Sequence, residues 1–443
     1  MSQIDVVNVP VEQAPATAVP DGETSEQLRH WKHNFAANFL DVAFFSLAMA
    51  LASLTTIIPL YIRQLGGSTL LVGFVPAIVQ TGWLLPPLFV APYINRMGRK
   101  LPYILRMTLG ERLPWFILAA LAFFFARDYP AFVLASSVVL LAIFGAAGGL
   151  TMPAWMDMVA TVTPLRMRGK LFGWSGALGG LMGIGGGLLA ERALARYPFP
   201  LNFALCFLGA AIAMFISFAA LCALREPARV VVAKALPIKE YIQRLPVLLR
   251  GDRDFTWFLL ARAMTVLGSM AVAFIAIYAA EERGLPESLA GRFTAWMLGT
   301  QVITTPIWGM IGDRRGHKAA LQFGLLCNAL ASVLALVFTT AGGFYIIFGL
   351  IGASSGILFT TTLNMVVEFA TPAERVTYIG LHGTLIAPAT MLAPLIGGWL
   401  AEFAGYGPLF ITATTCSLVA LGILSFATRD PRHRQLIVDH SSI

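Results

Sequence analysis

Asn95-Arg96-Met97-Gly98-Arg99-Lys100 returns 218 positions later as Asp313-Arg314-Arg315-Gly316-His317-Lys318, and each copy stands between two long apolar stretches. A charged turn repeated at half-length marks a chain built from two similar halves. Further matches run in the same order. Arg168, Gly173 and Gly176 correspond to Arg375, Gly380 and Gly383, and Asp157 corresponds to Glu368. Gly186-Gly187-Leu188-Leu189-Ala190-Glu191 corresponds to Gly397-Gly398-Trp399-Leu400-Ala401-Glu402. Offsets drift between 207 and 218, so insertions of roughly one helical turn separate the halves.

Composition sets the solvent. The 443 residues are 57% hydrophobic and 12% charged, against about 25% charged in a soluble domain. A soluble core cannot hide this much apolar surface, so lipid must surround most of the chain. Twelve segments have the roughly 20 residues a bilayer crossing needs. They lie near 34–62, 69–94, 101–126, 130–158, 170–194, 200–224, 255–281, 287–311, 319–340, 344–369, 376–404 and 408–428. Short connections make neighbours antiparallel. The expected fold is all-α integral membrane, with twelve transmembrane helices in two six-helix pseudo-repeats spanning 34–224 and 255–428. Residues 1–33 read as a disordered tail and 429–443 as a second tail. The linker 225–254 places Ile238, Tyr241, Ile242, Leu245, Leu248 and Leu249 at helical spacing. It reads as a helix on the inner leaflet, or as a solvated linker.

The net charge of +8 is a matter of topology rather than of a nucleic-acid partner. With the N-terminus inside, 22 Lys and Arg fall on that side of the membrane and six on the other. That bias puts both termini in the cytoplasm. Cys206, Cys222, Cys327 and Cys416 lie within apolar spans and read as buried free thiols, with no metal or cofactor implied. The first thirty residues lack the basic-then-apolar order of a signal peptide.

Six plus six spans and this cassette resemble the major facilitator superfamily from Asn34 to Thr428. The family joins spans two and three, and again eight and nine, through Gly-x-x-x-Asp-Arg-x-Gly-Arg-Lys. The second copy matches well, through Gly309, Asp313, Arg314, Gly316, His317 and Lys318. The first is degraded, with Ala91 and Asn95 at the Gly and Asp positions. By resemblance, Asp313, Arg314 and Lys318 with Asp157 or Glu368 latch the halves on the cytoplasmic side when the cavity faces outward. Arg96, Arg99 and Lys100 belong to the first, weaker latch. Alternatively, these charges only set topology. Span four lacks the mid-helix Arg of many drug:proton antiporters and span five lacks the antiporter proline, although span eleven reads Pro394-x-x-Gly397-Gly398.

Charges inside spans are functional candidates by default. Asp41 in span one and Arg262 in span seven are expected to approach each other across the cavity floor, for coupling or as a structural pair. Span three carries Arg106, Glu111 and Arg112; neighbouring residues point about 100° apart, so Glu111 and Arg112 are not expected to face one partner. The resemblance places this span outside the cavity walls. Polar cavity candidates are Asn38, Gln80, Gln301, Thr305 and Asn364, with Trp83 and Trp155 as aromatic walls and His382 as a group that titrates near neutrality. Helix–helix hydrogen bonding explains any of the polar ones equally well.

Duplicated bundles suit secondary transport, in which two halves rock about a site at their interface. No Gly-x-x-x-x-Gly-Lys-Ser/Thr motif is present, so ATP does not drive the chain directly. The expected activity is secondary transport of a small organic solute, with protons favoured over sodium or uniport, by a monomer among membrane lipids of a bacterial inner membrane. The alternatives are a drug or lipid exporter of the same fold, an intramembrane serine enzyme, or a transport-incompetent receptor. The enzyme reading rests on Ser175 and on Ser354, which lies in Gly352-Ala353-Ser354-Ser355-Gly356; helix packing explains those glycines better.

Overall fold

The structure is a computed structural model and describes residues 25–94, 96–227, 251–370 and 375–430. The linker helix expected within 225–254 lies for the most part outside these residues.

The N-terminal half has six spans. α1 is Ser25–Leu51, continued after a break by Ile57–Gln64; α2 is Thr69–Leu84 followed by Pro86–Ile94; α3 is Leu101–Met107 followed by Leu109–Phe125. α4 is Pro130–Val162, α5 Leu165–Arg196 and α6 Leu201–Cys222. In the C-terminal half, α7 is Arg253–Gly268, then a 3₁₀ turn, then Val272–Glu281. α8 is Leu289–Arg315, α9 His317–Val337, α10 Ala341–Phe369, α11 Arg375–Phe403 and α12 Tyr406–Gly422, which ends in a π-turn over Ile423–Ala427. α1 therefore starts at Ser25, inside the stretch read as a tail.

Nine of these spans are, among the described residues, long and apolar enough to cross a membrane by themselves. The other three are α2, α5 and α8. The consecutive prolines Pro86 and Pro87 interrupt α2, since each lacks the N–H an α-helix needs. Glycine dilutes the apolar content of α5, and polar residues that of α8.

Packing repeats as the sequence does. In the N-terminal half α1 packs on α5 and α6, α4 on α2 and α3, and α3 on α6. In the C-terminal half α7 packs on α11 and α12, α10 on α8 and α9, and α9 on α12. The halves meet along α5 with α8 and along α2 with α11, the same contact made twice under the pseudo-twofold.

The buried core is not uniform along the membrane normal. At the face opposite the cassettes, one core holds residues of both halves, among them Tyr61, Trp115, Phe207, Phe274, Phe293 and Phe348. Toward the cassette face it divides. Ile104, Met158, Val159 and Leu221 form a core of the N-terminal half alone. Phe255, Phe258, Leu325 and Val366 form one of the C-terminal half alone.

Glycines report the same divergence. A Cβ on Gly187 of α5 would stand 2.7 Å from the Ala295 nitrogen of α8, and one on Gly183 2.8 Å from Leu298 Cδ1. Nearer the cassettes, a Cβ on Gly176, Gly173, Gly169 or Gly309 would meet nothing within 4 Å. The two helices touch at one end and part at the other, so a cleft opens to the cassette face.

Candidate functional site

Four helices of the N-terminal half converge on Asp41. Its Oδ1 accepts a hydrogen bond from Ser217 Oγ of α6 at 2.6 Å and lies 3.6 Å from Arg112 Nη2 of α3. Its Oδ2 accepts from Trp155 Nε1 of α4 at 3.1 Å. Arg112 also donates to Glu111 Oε2 at 2.5 Å, to Ser217 Oγ at 3.1 Å and to Thr108 Oγ1. Asp41, Glu111, Arg112 and Ser217 are all buried. One guanidinium thus serves two carboxylates in apolar surroundings, which leaves one negative charge over unless the cluster holds a proton.

This arrangement corrects two expectations. Glu111 and Arg112 do not diverge, because the long arginine side chain turns back to its neighbour while its other nitrogen reaches Asp41. Nor does Asp41 meet Arg262. Arg262 stands in the C-terminal half, in a pocket lined by Phe258, Ala261, Thr265, Leu321, Leu325 and Leu424. Its Nε and Nη1 are buried without a hydrogen-bond partner among the described residues.

The cassettes bind within their own halves. Lys100 Nζ pairs with Asp157 Oδ2 of α4 at 2.5 Å, and His317 Nδ1 with Glu368 Oε1 of α10 at 2.7 Å. Lys318 Nζ donates to the carbonyls of Ser425 (3.2 Å) and Thr428 (2.8 Å), where the π-turn has loosened the end of α12. Gly316 joins α8 to α9 at φ +98°, a conformation open to glycine and strained for other residues. Arg96, Arg99, Asp313 and Arg314 are exposed, and Asn95 lies outside the described residues. Sequence reasoning missed Glu226, whose carboxylate accepts from the backbone N–H groups of Lys100 and Leu101 (2.7 to 2.9 Å) and so caps α3. Asp430 stands in the corresponding place, its Oδ2 beside Gly316. The available signal was an acid a few residues beyond each half.

The opposite face carries polar ties between the halves. Arg63 Nε donates to Glu281 Oε1 at 2.6 Å, Gln64 Nε2 to Glu287 Oε1 at 2.5 Å, and Thr56 Oγ1 bonds Thr294 Oγ1. The repeated Gly-Gly-x-Leu-Ala-Glu motif supplies the rest. Its first glutamate, Glu191, accepts from Arg292. Its second, Glu402, accepts from the N–H groups of Thr69 (2.6 Å) and Leu70 (3.2 Å) at the start of α2. α8 begins at Leu289, so Glu287 belongs to the connection before it. Burial pushes the Glu287 carboxyl above the usual carboxylate range, and the charge of Glu281 adds to the effect.

The remaining candidates scatter. Asn38 is buried and donates to the Asn34 carbonyl of its own helix (3.0 Å), and Thr305 does the same to Gln301 (2.7 Å). Gln301 is half-buried and Gln80 exposed. Trp83 packs edge-on against Phe144 within the N-terminal half, while Trp155 joins the Asp41 cluster. Asn364 lies 3.2 Å from His317 Nε2, so it joins the cassette network. His382 stacks on Phe258, which also lines the Arg262 pocket, and its Nε2 has no hydrogen-bond partner among the described residues. Of the four cysteines only Cys206 is buried; Cys222 is exposed and the others are half-buried.

The sequence profile of the Major Facilitator Superfamily matches residues 6–187 and again 258–439, once for each half. The chain belongs to the Major Facilitator Superfamily. Among curated proteins, this superfamily member is similar to the class H tetracycline resistance protein of Pasteurella multocida, 32% identical over 143 residues, which are 31% of this chain and 34% of that protein. It is also similar to the multidrug resistance protein MdtG of Dickeya zeae, 26% identical over 129 residues, or 29% of this chain and 31% of that protein. The chain thus spans about a third of the length of these two relatives. Among solved structures, a mutant of the nucleoside transporter NupG superposes with a TM-score of 0.69 at 12% identity, covering 88% of this chain and 98% of that one. A D-xylose-proton symporter does so with 0.63 at 15%, covering 92% and 98%. At such identities the likeness is one of fold. The superfamily is one of membrane transporters and not of enzymes. Ser175 and Ser354 sit inside helices, and Ser354 Oγ donates to the Gly324 carbonyl at 3.0 Å.

Proposed function

We propose that this superfamily member moves a small organic solute by alternating access, as a secondary active transporter coupled to protons. The observation that carries the reading is the divided core: one shared core at the opposite face, two separate ones at the cassette face. Two halves hinged at one end expose a central cleft to one side only, and a rocking motion would expose it to the other. The basic bias makes the cassette face cytoplasmic, with both termini there, so the conformation described is open inward. Bacterial relatives support an inner-membrane location.

Coupling falls to Asp41, Glu111 and Arg112. A cluster with one carboxylate more than it has cations is a place where a proton binds and leaves. It touches α1, α3, α4 and α6, so rearrangement of those helices changes how well Arg112 and Ser217 serve Asp41. A second reading, export of an amphiphilic drug, is favoured by the two resistance proteins among the relatives.

Proteoliposomes test both. Solutes found by thermal shift, tetracyclines among them, are offered to vesicles carrying a proton gradient. Asp41→Asn mimics the protonated state, so it is expected to spare solute exchange and abolish gradient-driven accumulation. Full, pH-dependent accumulation by Asp41→Asn would remove protons from the account. Accumulation in inverted but not right-side-out vesicles would establish export.

A further inference from the structure

Arg262 has no carboxylate partner among the described residues. Its Nε and Nη1 are buried and without a hydrogen-bond acceptor. The pocket around it is small and apolar, formed by Phe258, Ala261, Leu321, Leu325 and Leu424. Thr265 also lines it, but its hydroxyl is occupied in donating to the Ala261 carbonyl at 2.7 Å. His382 Nε2, a third buried nitrogen without a partner among the described residues, belongs to the ring stacked on Phe258 with centroids 6.2 Å apart. Arg262 and His382 are half-buried as residues, but these particular nitrogens are buried, and buried donors are almost always satisfied.

The pseudo-twofold sharpens the contrast. The matching place in the N-terminal half, between α1, α3 and α6, holds Arg112 with two carboxylates. Between α7, α9 and α12 the charge is present, and the described residues supply no counter-charge. A water accepts only two hydrogen bonds and brings no charge. A monovalent anion accepts from both unpartnered Arg262 nitrogens and neutralises the guanidinium. The wall has a further feature: Leu424 sits in the π-turn that ends α12, and such turns recur at functional sites.

We propose that Arg262 and His382 form a binding site for one small monovalent anion, a halide or a carboxylate group, inside the C-terminal half. The site is independent of the transport reading above, since it lies within one half and not between the two.

The test uses the purified full chain in detergent, with thermal stability followed at constant ionic strength while sulfate is replaced by chloride, formate or hexanoate. A saturable rise in Tm is expected for the monovalent anions. Equal responses to chloride and formate identify a free inorganic-sized ion. A much tighter response to hexanoate identifies the carboxylate of an amphiphile, with its chain against the leucines. His382→Phe should weaken half-saturation roughly tenfold, the loss of one hydrogen bond to a charged group. Arg262→Met should abolish the response. Should Arg262→Met fail to fold, crystals of the unaltered chain in bromide decide the matter, with an anomalous peak expected within hydrogen-bonding distance of Arg262 Nε. No anion response in the unaltered chain, the same response in Arg262→Met, or no bromide peak would overturn the proposal.

Discussion

Asp41 gathers partners from three other helices, and their charges are unequal in consequence. Arg112→Ala would leave two buried carboxylates without a cation, a loss of about 3–5 kcal/mol. Asp41→Asn would leave Arg112 neutralised by Glu111 and cost only the charged hydrogen bonds, about 1.5–3 kcal/mol. Melting curves of the two variants are expected in that order, and the reverse order would show that Arg112 does not hold the cluster together. Glu287 gives a pH dependence with a definite sign. Its carboxyl is raised in the closed opposite face, so that face binds a proton more readily than a state with Glu287 in water. The seal should therefore hold best at low pH and weaken as pH rises from the free carboxylate's pKa, about 4.3, to the raised one. Glu287→Gln should flatten the dependence, read as label distances across that face. Asp41, Glu111 and Arg112 were legible in the sequence because charge is conspicuous in an apolar span. Their association was not, because Ser217 is an ordinary serine 176 residues from Asp41 and nothing local ties the two. The pairing with Arg262 failed because equivalent spans of two halves are not thereby neighbours.

Element by element, the glycine-rich stretch of α5 does two different things along its length. Gly187 abuts α8 so closely that a methyl group would press on the Ala295 nitrogen and the Gly291 carbonyl, both 2.7 Å from its ideal Cβ. Backbone cannot yield as a side chain can, and such overpacking typically costs about 1–3 kcal/mol. Gly187→Ala is therefore expected to loosen the opposite face and lower the melting temperature. Gly173→Ala, with open space around it, should leave both unchanged. Equal effects of the two substitutions, measured by thermal unfolding and by cysteine accessibility near Glu191, would show that α5 does not pack as described. The repeat Gly-Gly-x-Leu-Ala-Glu was visible as a sign of duplication, yet its glutamates were not read as a seal. Their partners, Arg292 and the first N–H groups of α2, are brought to them only by the packing of one half on the other. Glu226 escaped notice for a similar reason: a helix cap is obvious only when the capped helix end lies beside it.

For the whole molecule, the two-half plan was legible because composition dictates lipid and the cassettes repeat in register. Which face is shut was not, since on the proposed mechanism the same chain closes either. That choice is made by sums of contacts at two interfaces, and no single motif carries it. The central claim is that the halves rock, closing one face as the other opens. Double electron–electron resonance on a chain freed of Cys206, Cys222, Cys327 and Cys416 tests it most directly. One spin-label pair replaces Gly169 and Gly309 at the cassette face, and another replaces Arg196 and Glu282 at the opposite face. Without ligand, the first pair is expected to be far apart and the second close. Removing the seal by Arg63→Ala with Glu402→Gln should shorten the first distance and lengthen the second together. Distances that stay fixed at both faces, or that lengthen at both, would contradict the account.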